Sequence, residues 1–279
     1  AVAFAAADGS WGTLSPDGTA ATHAGSRTLA AEPEALRVDS TGSEIELHIG
    51  PNPKNRLRFS LQALELHRGA APENPSLRPP DFDVPTPHHI SGWHHKPPVL
   101  LDDGTLVTRG EDPAAMAMAP GREAFVIGAS AHLFGYRFEQ TAADGCPYKP
   151  PQTSELKQPC FATPLTSAAV SVNYSGDGRH VVALHADGTV RWYGARDGRE
   201  RLALVLHPDD GRWLLFRPDG LFAASPGGAE LAGWQLNRPQ EQAADFFPLS
   251  RFQRSHQRPE QVVATLSEPA ATVPSLKRE

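Results

Sequence analysis

Residues 167–206 read SAAVSVNYSGDGRHVVALHADGTVRWYGARDGRERLALVL. Four short apolar runs alternate here with three turn signals. Ala169–Val172 precedes Gly176-Asp177-Gly178, and Val181–Leu184 precedes Asp187-Gly188. Thr189–Tyr193 precedes Asp197-Gly198, and Leu202–Leu206 closes the series. Asp-Gly between apolar runs signals a hairpin, because glycine accepts the positive φ of a tight turn. Four antiparallel strands within about forty residues make one propeller blade.

The same stretch resembles a WD-repeat blade. The resemblance rests on Ser175-Gly176-Asp177-Gly178-Arg179 and on Ala186-Asp187-Gly188-Thr189-Val190-Arg191-Trp192. Tyr193 follows Trp192 where that family more often has Asp. Upstream, AAMAMAPGREAFVIGASAHLFGYRF (residues 114–138) matches AAVSVNYSGDGRHVVALHADGTVRWY (168–193) at a spacing of about 55 residues. A blade is therefore expected over 101–140, opened by Asp103-Gly104-Thr105-Leu106, and a second over 167–206. Trp11–Leu14, Ser15-Pro16-Asp17-Gly18 and Thr19–Thr22 read as a further hairpin, and the strands of 31–68 supply another blade. Within these, Leu57–Leu66 fits a strand pair or a short helix; its period of two favours strand. Trp213–Phe216, Pro218-Asp219-Gly220 and Leu221–Ala224 form one more hairpin, and Leu231–Leu236 is a candidate strand.

The segment after Leu206 carries Phe216-Arg217-Pro218-Asp219-Gly220, Ala224-Ser225-Pro226-Gly227-Gly228, Gly233-Trp234, Asn237-Arg238, Ala243-Ala244-Asp245-Phe246-Phe247 and Arg258-Pro259. It is similar to the closing segment of bacterial WD-repeat proteins that often carry a caspase-like peptidase domain. The resemblance runs from about Leu57 and is strongest over 167–266. The His-Gly and cysteine-bearing catalytic segments of that peptidase are not found in these residues. The resemblance implies architecture, with a role as sensor or regulator of such a peptidase as one expectation.

The expected fold is thus all-β, a WD-type β-propeller of about five recognisable blades, with a partial propeller completed by another chain as the other reading. Blades occupy 1–240, with Pro-rich insertions at 69–99 and 141–165. A closing segment at 241–266 holds short helices at Ala243–Phe247 and Gln261–Leu266, and 267–279 is expected to be a mobile tail. The first residue is Ala, not Met, which suggests a processed chain or an excised fragment.

The 279 residues are 39% apolar and 21% charged, with a formal net charge of −6. No block of Lys and Arg suits nucleic acid or acidic lipid, and no apolar run is long enough to span a membrane. Glycine and proline make up about 18% of the chain against a usual share of roughly 12%, which fits many short strands. Cys146 and Cys160 are the two cysteines. A disulfide between them would close a loop of about 15 residues, worth about 3 kcal/mol in the chain-entropy model. It would place the protein in the periplasm or outside the cell, whereas two reduced thiols fit the cytoplasm.

Residues 69–99 hold eight prolines and are expected as an ordered insertion over the surface. His88, His89, His94 and His95 flank Trp93 there. Four histidines invite a metal, but adjacent His-His pairs point apart and no carboxylate or cysteine pattern completes a site. No phosphate loop or nucleophile elbow appears, and neither cofactor nor catalytic constellation is expected. Asp177 and Asp187 read as turn holders. Trp11, Trp192, Trp213 and Trp234 read as packing between blades. The expected role is a non-catalytic protein-interaction scaffold whose partners are other protein chains. Trp93, His94, His95, Tyr148 and Arg191 are the candidate interaction surface.

Overall fold

The computed structural model describes residues 32–48, 56–69, 73–102, 104–106, 108–138, 156–207, 210–234 and 247–267 in full. Residues 2–5, 11–14, 20–23, 235–236 and 245–246 are described by their backbone. The chain is all-β and of propeller type. It is built from antiparallel meanders, with short helical turns near the C-terminal end. β1 (Val2–Ala5), β2 (Trp11–Leu14) and β3 (Ala20–His23) form a three-stranded meander. β4 (Leu36–Val38), β5 (Glu44–His48), β6 (Arg56–Ser60) and β7 (Glu65–Arg68) form a four-stranded one. Leu57–Leu66 is therefore a strand pair joined by a turn over residues 61–64.

The blade expected over 101–140 begins later. β8 (Ile90–Ser91), β9 (Leu100–Leu101) and β10 (Gly104–Leu106) make a separate small sheet. The blade itself comprises β11 (Pro113–Met118), β12 (Ala124–Ala129) and β13 (His132–Arg137). After the Pro/Cys insertion, β14 (Leu156–Lys157) pairs parallel with β10, and β15 (Phe161–Pro164) completes the blade against β13.

The 167–206 reading holds strand for strand: β16 (Ala169–Tyr174), β17 (His180–His185), β18 (Val190–Gly194) and β19 (Glu200–Leu206). Gly188 turns between β17 and β18 at φ 84°, the conformation that glycine takes without strain. The next hairpin, β20 (Trp213–Phe216) and β21 (Phe222–Ala224), pairs onto β19, so this sheet has six strands. β22 (Gly233–Leu236) and β23 (Asp245–Pro248) form a two-stranded sheet. The helix expected at Ala243–Phe247 is thus strand over Asp245–Phe247, because the residue before Pro248 is pushed out of the helical region. α1 (Gln253–His256) and α2 (Pro259–Ala264) follow, the second matching the expected helix at Gln261–Leu266. Ser267 is a turn; the rest of the expected tail lies outside the described residues.

The sheets pack through faces set by their period-two alternation. Ile90, Val99, Leu101 and Leu106 meet Met116, Phe125, Ile127 and Phe134. Ala115, Ala117, Val126 and Leu133 on the other face of that blade meet Val172, Val181, Ala183 and Tyr193. Val182, Leu184, Trp192 and Leu204 then meet Leu36, Val38, Ile45, Leu47 and Phe59. The early sheet β4–β7 therefore seats on the late sheet β16–β21, and Trp213 packs edge-on against Phe59 at 5.1 Å.

Most described residues of 69–99 are exposed or half-buried, and a few tie the segment to the neighbouring sheets. Arg78 exchanges two 3.0 Å backbone hydrogen bonds with Val38, and the Asp81 carbonyl accepts from Met118 N–H at 2.7 Å. Leu77, Ile90 and Val99 are core residues. The segment thus links β4 and β11 through an isolated backbone pairing at Arg78 and the Asp81 carbonyl. The far face of β4–β7 is a charge ladder, with Arg37, Glu46 and Arg58 directly opposite one another. Burial alone would raise the Glu46 carboxyl. The Arg58 hydrogen bonds at 2.7 and 3.2 Å, the His48 bond at 3.0 Å and the charge of Arg56 together hold it below its ordinary value.

Candidate functional site

The turn ends of the two central sheets enclose a cleft of about 870 Å³. That volume lies in the range of ligand sites. Five arginines line it (Arg137, Arg179, Arg196, Arg201 and Arg217), together with five acids (Glu123, Asp177, Asp197, Glu200 and Asp219). The Asp-Gly turns explain why the charges are fixed. Asp177 Oδ1 accepts from Ser175 Oγ at 2.6 Å and from Arg179 N–H at 3.0 Å. Asp197 Oδ1 accepts from Arg199 N–H at 3.0 Å, and its Oδ2 takes Arg201 at 2.7 Å. Asp219 holds Arg217 through both oxygens, at 3.1 and 2.9 Å. Asp197 and Asp219 each satisfy their own turn and also hold an arginine, while the bonds of Asp177 stay within its turn.

The back wall joins the two sheets. Phe161 of β15 lies over Gly135 and Gly198, where a Cβ at either position would fall inside its ring. Thr163 Oγ1 donates to Gly198 O at 2.7 Å. Cys160, on the same wall, is buried and disulfide-bonded. Cys146 lies outside the described residues. His180 is buried at the floor. Its Nε2–H donates to Leu266 O at 3.1 Å, while Nδ1 is buried with no partner among the described residues. Burial pushes the imidazole below its ordinary pKa, so it is neutral at pH 7. Arg217 also reaches Gln261 O and Thr265 Oγ1, both at 3.4 Å, which fixes α2 against the cleft.

The histidines of the Pro-rich segment do not converge. His88 Nδ1–H donates to Asp102 at 2.9 Å, and its ring stacks on Phe138 at 4.4 Å. That bond, with the His89 N–H, holds Asp102 below its ordinary value. His95 pairs instead with Asp112 at 3.0 Å. His94 stacks between Trp93 and His95. Among the described residues no three His, Cys, Asp or Glu side chains come together as a metal site. Trp93 stacks on Phe82 at 5.2 Å and packs against the core beside β8–β13. Arg191 is tied to Glu200 at 2.8 Å on its own sheet. Tyr148 lies outside the described residues. Of the four tryptophans read as packing, Trp192 and Trp213 are core and Trp234 is exposed, while the Trp11 side chain is not described. The cleft arginines come from strand ends and turns of two sheets, with Arg196 and Arg201 flanking one turn; the Asp-Gly spacing was the available signal.

No family model matches the sequence, and a search of curated proteins finds no match. Among solved structures the fold is similar to a chain of a complex described as "Crystal Structure of Mitotic Checkpoint Complex". The identity is 10% over 80% of this chain and 72% of that one, with a TM-score of 0.31. The architecture above rests on the strand pairing and packing.

Proposed function

We propose that this chain is a non-catalytic protein-interaction scaffold, and that the cleft between the two central sheets is where a partner protein engages it. The observation that carries this reading is the cleft lining: ten charged side chains, from strand ends and turns of two sheets, around about 870 Å³. Rigid sheets presenting turn residues are a general means of recognition. The cleft carboxylates Asp177, Asp197, Asp219 and Glu200 are occupied with turn N–H groups or arginines, which suits a fixed contact surface. Arg196 at the rim is exposed and has no carboxylate partner among the described residues.

A photo-cross-linking residue placed at Arg196 is expected to capture a second polypeptide in the natively expressed protein. The same residue at Glu65, on the exposed outer strand β7, is expected to capture none. Equal capture at both sites, or capture at Glu65 alone, would remove the cleft from the assignment.

We further propose that Cys160 pairs with Cys146, which fits an oxidising compartment. Among the described residues no helix is long and apolar enough to cross a membrane. Alkylation of the unfolded chain is expected to label neither cysteine before reduction and both after it. Reduction is expected to lower stability by about 3 kcal/mol, the loop entropy of about 15 residues. Labelling without reductant would refute the pairing.

A further inference from the structure

The Arg217–Gly220 turn has two sides. One lines the cleft through Arg217, Pro218 and Asp219. On the other, a Cβ at Gly220 would lie 2.8 Å from the Trp234 ring and 3.7 Å from the His256 ring. Both rings therefore sit directly on the turn backbone. Trp234 is nevertheless 39% exposed. A tryptophan that presents this much apolar surface is informative when other aromatic side chains extend it into a patch.

Its neighbours extend the surface. Trp234 lies opposite Phe247 across β22 and β23. The Arg251 guanidinium stands 5.0 Å over the Phe247 ring. Phe252 meets Phe247 edge-on at 6.5 Å and His256 edge-on at 6.0 Å. Phe247, Phe252 and His256 are half-buried, while Arg251 and Arg254 are exposed. Residues 246–259, FFPLSRFQRSHQRP, contain three arginines between the acids Asp245 and Glu260. Arg258 is held by the carbonyls of Gln257 and Arg254, at 2.8 and 3.0 Å. Among the described residues no carboxylate pairs with Arg251, Arg254 or, across the turn, Arg196. The surface is therefore locally cationic on a chain whose formal net charge is −6.

We propose that this aromatic and basic surface, continuous with the cleft across the Arg217–Gly220 turn, docks an acidic peptide segment of a partner protein that carries an apolar anchor residue. The inference rests on the scaffold reading and names the chemistry of its partner. Tryptophan and arginine are the residues that most often dominate interface energies. Trp234 and Phe247 supply the flat apolar contact for the anchor. Arg251, Arg254 and Arg196 supply fork-shaped donors for the flanking carboxylates. Phe247 keeps Arg251 pre-oriented, so less of that side chain's freedom is lost on binding.

The test is fluorescence anisotropy with the full chain and three labelled probes. One is a short Asp/Glu-rich peptide with a central Leu-Trp anchor, the second the same peptide with Ser at the anchor, and the third a short oligo-dT. The anchored acidic peptide is expected to bind. Trp234→Ala is expected to weaken it by about thirtyfold, as for a hot spot, and Trp234→Phe to restore most of that loss. The double change Arg251→Glu with Arg254→Glu is expected to weaken it at least tenfold and to flatten its salt dependence, since each lost ion pair removes a screened attraction. Thermal unfolding monitored on each variant separates loss of binding from loss of fold. Binding that is unchanged in both variants, equal binding of the anchorless peptide, or binding of the oligonucleotide with none of the peptide would overturn the proposal. If the cross-link at position 196 persists while those variants leave peptide binding unaltered, the scaffold reading stands and this surface falls.

Discussion

Trp192→Ala is expected to lower the unfolding free energy by about 3–5 kcal/mol, the cost of truncating a large buried aromatic side chain, and to leave an unpaired carbonyl as well. Trp192 sits in the middle of β18 with no exposed surface. It reaches across to the neighbouring sheet, where its Nε1–H donates to Gly42 O at 2.7 Å. Gly42 lies in the turn between β4 and β5, so one side chain on the late sheet fixes a turn on the early one. Total stability of a domain is about 5–15 kcal/mol, which makes this substitution a large fraction of the whole. Urea unfolding followed by circular dichroism measures it. Trp192→Phe keeps most of the packing and loses the hydrogen bond, and is expected to cost about 1–2 kcal/mol. A loss below about 1 kcal/mol for Trp192→Ala would mean that β4–β7 does not seat on β16–β21 in solution.

How much of this was legible depends on how local the determinant is. The β16–β19 meander was readable because each turn carries its own chemistry: an aspartate to hold the next N–H and a glycine to take positive φ. The same logic misplaced the start of the preceding blade. Asp103-Gly104 has the right composition, but Leu100–Leu101 and Gly104–Leu106 pair with Ile90–Ser91 and Leu156–Lys157, partners distant in sequence. Turn residues announce a hairpin without saying which sheet it joins. The hairpin of β20 and β21 shows the same limit: the connection from Leu206 to Trp213 is short enough for direct antiparallel pairing onto β19, so it extends a blade instead of starting one. Ala243-Ala244 favours helix locally, yet Phe246 and Phe247 pair with Gln235 and Trp234. At 69–99 the residues around Arg78 make an isolated backbone pairing with Val38, a link between distant segments that proline content does not announce. The cleft was legible only in part. Asp177 was read as a turn holder, which it is, but the convergence of five arginines from two sheets is a property of packing.

The buried polar side chains of β16 carry the second large expected effect. Ser171 and Asn173 alternate with Val170 and Val172, and as sequence they suggest a solvated strand face; both are buried. Asn173 Nδ2 donates to Leu36 O at 3.1 Å and to Arg78 O at 2.9 Å, while Oδ1 accepts from Tyr174 N–H at 2.8 Å. Ser171 Oγ donates to Pro33 O and accepts from Leu36 N–H. These bonds join β16 to β4 and to the inner part of the Pro-rich segment. Asn173→Ala takes the Asn173 donor from the buried Leu36 carbonyl, while the Arg78 carbonyl keeps its bond from Val38 N–H, and is expected to cost about 1–3 kcal/mol. Hydrogen exchange is expected to speed up at Val38 and Arg78, whose amides bond each other's carbonyls, while the amides of β17 and β18 stay protected. Asn173→Asp is the sharper test. Its carboxylate cannot donate to either carbonyl, so the protonated form is favoured in the folded state and the folded pKa is raised above the unfolded value of about 3.9. The deficit relative to the parent is then smallest below about pH 4 and grows as pH rises through the raised folded pKa. A pH-independent deficit, or one that shrinks toward neutral pH, would show that Asn173 does not donate to these carbonyls. Because Asn173 does not line the cleft, Asn173→Ala is also expected to leave cross-linking at position 196 intact, separating what seats the sheets from what meets a partner.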